Sequence, residues 1–145
     1  MLAKYVFEHL PEPLEVFREL RRVMRTGGWL VFHTPNRFHY VPVAARLTPT
    51  SFHRWFNARR SPDIDPEHVH AHEVFYRAND RATIARFARL SGFEPGELEA
   101  FEPKPAYLFF HPLAHRLGIA YQRLVSRWDP LRGLRANLIG SLRAV

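Results

Sequence analysis

Nine histidines and no cysteine set the chemistry open to this 145-residue chain. Without thiols there is no disulfide, no thiolate metal site and no cysteine nucleophile, which fits a reducing, cytoplasmic setting. The densest histidine group is "HVHAH" at 68–72. In an extended segment His68, His70 and His72 share one face, ~6–7 Å apart along the strand. Imidazole nitrogens at that spacing are able to ligate zinc, and Asp65, Glu67 and Glu73 lie near in sequence. The same residues read equally as an exposed loop or as the lining of a pocket. Histidine spacing alone does not close a site, so no metal is expected and the cluster stands as the alternative. The second group is Glu8-His9, after a short apolar stretch. His9 suits a proton acceptor or a hydrogen-bonding contact to a substrate. The plainer reading is that Glu8 and His9 satisfy loop backbone groups. His33 reads as a partly buried strand residue.

These groups have to be positioned by the elements around them. Tyr5, Val6 and Phe7 read as the end of a buried strand. Pro11 and Pro13 form a turn into a helix, since Pro suits a first helical turn. Leu14, Val16, Phe17, Leu20, Val23 and Met24 then recur at helical spacing, with Glu15, Arg18, Glu19, Arg21 and Arg22 mostly outward. Gly27-Gly28 ends that helix, one of the two in the left-handed conformation. "WLVFH" is a short apolar run, predicted as a central strand covered on both faces.

Residues 35–79 form a long connection rich in Pro, His and Arg, with "FHRWFNARR" as a short helix inside it. A connection this long at a strand's carboxyl end usually serves as a functional lid or cap. Asn79 or Asp80 is predicted to cap a helix ending near Ser91 and Gly92. "FEPGELEAF" and "PAYLFF" read as two antiparallel strands joined by "EPK". Two amphipathic helices follow. Leu113, Leu117, Tyr121, Leu124 and Trp128 mark one; Leu131, Leu134, Leu138, Leu142 and Val145 mark the other, with Pro130 between. A strand–helix–strand crossover argues for parallel pairing in an α/β sheet. One face and one edge of that sheet lack partners in the sequence.

Composition narrows the function classes. Hydrophobic residues are 46% and charged residues 24%, ordinary for a globular domain. No apolar run approaches the ~20 residues of a membrane span, and the N-terminus reads directly into folded-type sequence, so no signal peptide is expected. The net charge is +7, carried by 19 Arg and 2 Lys. The arginines are scattered and no nucleic-acid motif accompanies them, so no nucleic-acid partner is expected. The tail, residues 111–145, joins apolar stripes to Arg132, Arg135 and Arg143. It packs on the chain's own sheet or makes a peripheral membrane contact.

The stretch "YVFEHLPEPLEVFRELRRVMRTGGWLVFHTPN" resembles the middle of a class I S-adenosylmethionine-dependent methyltransferase. Glu8-His9-Leu10, Gly27-Gly28 and Thr34-Pro35-Asn36 carry the likeness, with Thr26 where the family usually has Pro. "FYRAN" at 75–79 and "GF" at 92–93 resemble its later part, so the likeness runs from residue 3 to about 101. It implies a partial Rossmann-like sheet of the last strands, parallel with an antiparallel edge, plus a helical insert at 37–79. It implies two parts: 1–110, the C-terminal half of a methyltransferase domain, and the tail at 111–145. The family's cofactor site lies mainly in its first half, in a Gly-rich turn and an acidic residue that receives the ribose. No such turn occurs here, and Met1 falls within what resembles the fourth strand. The expectation is therefore a C-terminal portion, inactive and not binding S-adenosylmethionine by itself, completed by upstream sequence or a partner chain. A non-catalytic interaction fragment and a basic membrane-surface module are the alternatives. The resemblance places Glu8 and His9 at the edge of the cofactor site. It makes His9 the candidate catalytic residue and Asn36, Tyr40, Tyr76 and Arg77 the candidate contacts to a small-molecule, lipid or saccharide acceptor.

Overall fold

A computed structural model gives the fold, and it describes residues 1–49, 73–105, 108–109 and 111–145. The predicted 52–60 helix and the cluster His68, His70 and His72 lie outside the described residues. The element order is β1 (Leu2–Lys4), α1 (Pro13–Val23), β2 (Trp29–Pro35), α2 (Tyr40–Leu47), α3 (Arg81–Leu90), β3 (Phe93–Phe101), α4 (Pro112–Arg127) and β4 (Asn137–Ala144). Short 3-10 turns occupy Phe7–His9 and Asp129–Leu134.

The four strands form one sheet in the order β1-β2-β4-β3. β1 and β2 are parallel, and β4 runs antiparallel to both β2 and β3. β1, β2 and β3 therefore end at the same edge, where β4 begins. Asn137 sits opposite both Pro35 and Phe101 there. β3 is an outer strand, which is where Pro95 is tolerated, and its pairing shifts register between Pro95 and Leu98.

One face of the sheet carries the core. Leu30, Phe32 and Thr34 of β2 lie beside Leu142, Gly140 and Leu138 of β4, and Phe17, Ile84 and Ala88 bring α1 and α3 onto them. Phe7 stacks on Phe32 and tilts against Phe17, each at 5.1 Å between ring centres. Gly140 makes room for this: a Cβ there would stand 2.8 Å from Phe32 Cζ.

The opposite face is open. Trp29, Val31 and Ile139 are exposed, so β2 is covered on one face and not on both as its composition suggested. An unbroken apolar run has no polar alternation to mark the solvent side. The predicted second tail helix is also corrected: residues 137–144 form the strand β4. Leu138 and Leu142 stand four apart, which fits one helix face and one strand face equally, and Gly140 and Ala144 complete the period of two. The segment read as "PAYLFF" does not pair with β3 among the described residues, where Leu108 and Phe109 form a turn. β1 ends at Lys4 rather than at Phe7, because Tyr5 takes a positive φ of 54° and turns the chain out of the strand.

The amino edge of the sheet is closed by backbone. Gly27 has φ 81° and donates to Ala144 O, and Ala144 N returns a bond to Gly28 O. The Arg21 guanidinium reaches Val145 O, Gly92 O and Met24 O. The left-handed glycines Gly27 and Gly92 thus serve the edge away from the strands' carboxyl ends.

Candidate functional site

Ligands of open α/β sheets bind beyond the carboxyl ends of the strands. Here those ends hold a connected set of buried polar side chains. The Thr34 hydroxyl donates to Glu8 Oε2 at 3.1 Å and accepts from Asn79 Nδ2 at 2.6 Å. Asn79 Nδ2 also donates to Pro35 O, while its Oδ1 is buried with no hydrogen-bond partner. Of the two expected caps, Asn79 and Asp80, the cap is Asp80, whose carboxylate accepts from Thr83 N and Thr83 Oγ1. Asn79 instead ties the start of α3 to the end of β2.

The loop after β1 is held from the far side. Glu8 O accepts from Phe75 N and Tyr76 N. His9 Nδ1 lies 2.9 Å from Glu73 O, and since a carbonyl only accepts, Nδ1 is the donor there. The ring's Nε2 is 4.0 Å from Glu8 Oε1. Asn36 is buried and engaged within the fold: its amide donates to Gly133 O and Arg135 O, and its Oδ1 accepts from Phe38 N. Arg77 reaches outward to Pro11 O and Glu12. His33 lies between Tyr5 and Phe101 on the open face, tilted 44° to each ring, and meets Asn137 Oδ1.

Beside this loop, at the shared edge of all four strands, lies a cavity of about 300 Å³. Tyr5, Tyr40 and Tyr76 give it aromatic walls, His39, Glu102 and Lys104 its ionisable groups, and Pro35, Pro42, Pro103 and Pro105 further apolar surface. Tyr5 and Tyr76 are also, among the described residues, the two non-glycine residues with positive φ, 54° and 51°. Backbone strain of this kind persists where the surrounding structure holds a functional shape.

The cavity floor is a buried polar cluster. His39 Nε2 stands 3.3 Å from Glu102 Oε1, with both side chains almost sealed. His39 Nδ1 accepts from Val41 N as the cap of α2, and the ring's Nε2 faces Glu102 at ion-pair distance without hydrogen-bond geometry. Glu102 Oε2 accepts from Ala136 N at 2.7 Å. The ring of Tyr40 lies 4.1 Å from that of His39 and 5.0 Å from that of Tyr121, centre to centre. Tyr121 donates its hydroxyl to Leu134 O. Burial first, then the Glu102 carboxylate and Tyr40, push the Tyr121 phenol up to about 12.

Of the residues the sequence pointed to, the structure gathers Tyr40 and Tyr76 in the cavity wall and Glu8 and His9 in the adjoining loop. Asn36 and Arg77 lie outside the wall. His39, Glu102, Tyr5 and Tyr121 were missed. The carboxyl-end rule applied to β3 points straight at Glu102, its next residue. Nothing in the sequence marks Tyr121, which arrives from α4.

The described residues offer only part of a site for S-adenosylmethionine. Glu8 is buried and turned to Thr34, so it does not present a carboxylate to a ribose. The left-handed glycines lie at the opposite edge of the sheet. Among the described residues no three His, Asp or Glu side chains gather as a metal site, and no helix is long and apolar enough to cross a membrane.

Residues 1–96 match the family model of the methyltransferase domain. The ubiquinone biosynthesis O-methyltransferase of Bordetella pertussis is 30% identical over 101 residues, which cover 69% of this chain and 36% of that protein. The enzyme of the same name from Hydrogenovibrio crunogenus is 26% identical over 124 residues, covering 86% of this chain and 42% of its own length. The chain thus spans well under half of these relatives. Among solved structures, the complex between the Haloferax volcanii Trm112 methyltransferase activator and a protein assigned as a methyltransferase contains a similar fold. Its TM-score is 0.51 at 17% identity, over 99% of this chain and 52% of that one. With its sheet, its strand-end motifs and its matched residues in agreement, the chain belongs to the methyltransferase domain family, the class I S-adenosylmethionine-dependent enzymes that its motifs resemble.

Proposed function

We propose that this chain is the acceptor-side portion of a methyltransferase, and that the cavity at the strand ends holds the group to be methylated. The observation that carries this is the cavity itself: about 300 Å³, walled by three tyrosines and four prolines, at the carboxyl ends of the strands. That volume is at the small end of ligand pockets and suits a single ring. Tyrosine faces favour a flat aromatic acceptor, with offset or edge contacts to the ring. The O-methyltransferase relatives support a hydroxyl as the acceptor group.

On this reading each residue has a task on the acceptor side. Tyr40 and Tyr76 orient the ring and exclude water. The His39–Glu102 contact fixes the start of α2, and with it Tyr40. His9 receives the acceptor's hydroxyl proton on Nε2, its Nδ1 proton being held by Glu73 O. Alignment and water exclusion are the larger part of catalysis for a reaction whose donor is already activated. S-adenosylmethionine would be held by residues beyond those described here, so the isolated chain is inactive. The experiment is binding of phenol, as a probe of the cavity, followed by tyrosine and tryptophan fluorescence. Saturable binding that is lost in Tyr40→Ala, with the fold intact by circular dichroism, supports the reading. Binding unchanged in that variant removes the cavity from consideration.

A further inference from the structure

Helix α4 has two adjoining sides put to different uses. Its inner face packs on the protein. Val125 is buried, Tyr121 packs by the His39 ring at the cavity floor, and Gly118 sits so close to Pro105 and Leu108 that a Cβ would come within 2.7 Å of the first and 2.8 Å of the second. The outer face carries Leu113, Leu117, Leu124 and, just past the helix, Trp128, with exposures of 59%, 64%, 48% and 59%. Their spacings of four, seven and four place them in one row along the helix. Arg116, Arg123 and Arg127 are exposed along the same outer side. From Lys104 to Trp128 the sequence contains no Asp or Glu.

Scattered exposed leucines are ordinary, but a continuous row of them ending in a tryptophan is not. Nucleic acid would engage the arginines and leave the leucines in water. A bilayer with anionic headgroups engages both: the apolar row enters the headgroup boundary, the arginines meet phosphate, and no carboxylate opposes them. We infer that the outer face of α4 docks in the plane of an anionic lipid surface. The helix is ~24 Å long, so all four apolar side chains enter together. Because the inner face of the same helix carries Tyr121 and packs on Pro105, docking brings the cavity wall to the lipid surface. This inference does not rest on the proposed activity.

The test is sedimentation of the full chain with vesicles of phosphatidylcholine alone, or with about a third phosphatidylglycerol, at low and high salt. The expected result is binding at least roughly tenfold stronger to the anionic vesicles, weakened by salt. Leu117→Gln with Leu124→Gln, and separately Arg116→Glu with Arg123→Glu, should each reduce it at least about tenfold. Arg18→Glu with Arg22→Glu, a like charge change on the outer side of α1, should leave it near the wild-type level. A wild-type chain that stays in the supernatant with both vesicles overturns the inference, whatever the variants do. So does equal loss of binding in the α1 variant. A concentration-dependent dimer that the α4 variants dissolve, without vesicle binding, assigns the face to a second copy and likewise overturns it.

Discussion

His39 Nε2 lies 3.3 Å from Glu102 Oε1, and the two side chains close the floor of the cavity between the end of β3 and the start of α2. Glu102 also caps the Ala136 amide at the entry to β4. Removing the carboxylate therefore leaves the buried Ala136 amide without its acceptor and takes the charged neighbour from His39. Glu102→Ala should destabilise the chain by about 2–3 kcal/mol, and Glu102→Gln by less, since an amide oxygen still accepts. Urea unfolding followed by circular dichroism measures both.

Tyr121 supplies a pH signature for the same cluster. Its phenol is pushed up to about 12, by burial first and Glu102 second. In the unfolded chain it ionises near 10. Between those values the folded state holds a proton that the unfolded state has lost, so stability falls as pH rises from about 10 towards 12. Below pH 10 Tyr121 adds no pH dependence. Ultraviolet titration should show a late-ionising tyrosine signal that is lost in Tyr121→Phe. In Glu102→Gln it should move down without reaching 10, because burial remains.

The relay from Asn79 through Thr34 to Glu8 joins three segments that are distant in sequence. Asn79→Ala strips the donor from both Thr34 Oγ1 and Pro35 O, and should cost about 2 kcal/mol. Asp80→Ala removes the cap of α3 and the 3.6 Å ion pair to the part-exposed Arg37, and should cost about 1 kcal/mol, most of it from the cap. If the Asp80 variant proves the weaker of the two in denaturant titration, the assignment of cap and relay is reversed.

Gly118 tests the seating of α4. Alanine is normally preferred to glycine inside a helix by about 1 kcal/mol. Here the new methyl meets Pro105 Cβ and Leu108 Cδ1 well inside contact distance. Gly118→Ala should therefore destabilise rather than stabilise, and should quench less tyrosine fluorescence on phenol addition because the Pro105 wall shifts. A melting temperature above wild type would show that α4 is not pressed on that segment.

What the sequence showed depended on whether local pattern and burial agreed. The α1 stripe, the left-handed glycine turn and the β2 run were legible, because helix period, a glycine turn and an apolar strand are all short-range signals; the helix itself ends at Val23, capped by Met24, before the glycines. The tail was not. Leu138 and Leu142 fit either period, and only pairing with both β2 and β3 makes them strand residues. Tyr5 looked like a strand residue by type, while its φ of 54° is set by the turn into Phe7–His9. For the site, Glu8, His9, Tyr40 and Tyr76 came from strand ends and resemblance. His39, Glu102 and Tyr121 meet only because α2, β3 and α4 converge on one edge, and no spacing in the sequence encodes that meeting.

S-adenosylmethionine should give no measurable heat when titrated into the isolated chain. A micromolar dissociation constant would amount to about 8 kcal/mol of binding free energy. Glu8, turned inward to Thr34, and the distant glycines do not account for such a figure. Calorimetry showing micromolar binding would mean that this chain holds a cofactor site of a different construction.

The most direct test of the central claim is a chemical-shift map of the isotope-labelled chain titrated with phenol. The acceptor-side reading predicts saturable shifts concentrated at Tyr40, Tyr76, His39, Glu102 and the neighbouring His9, with little change along α1 or the amino edge near Gly27. Affinity in the millimolar range is sufficient for a probe of so few atoms. Shifts gathered on the open face around Trp29 and Ile139, or no saturable shifts at the cavity, would contradict it.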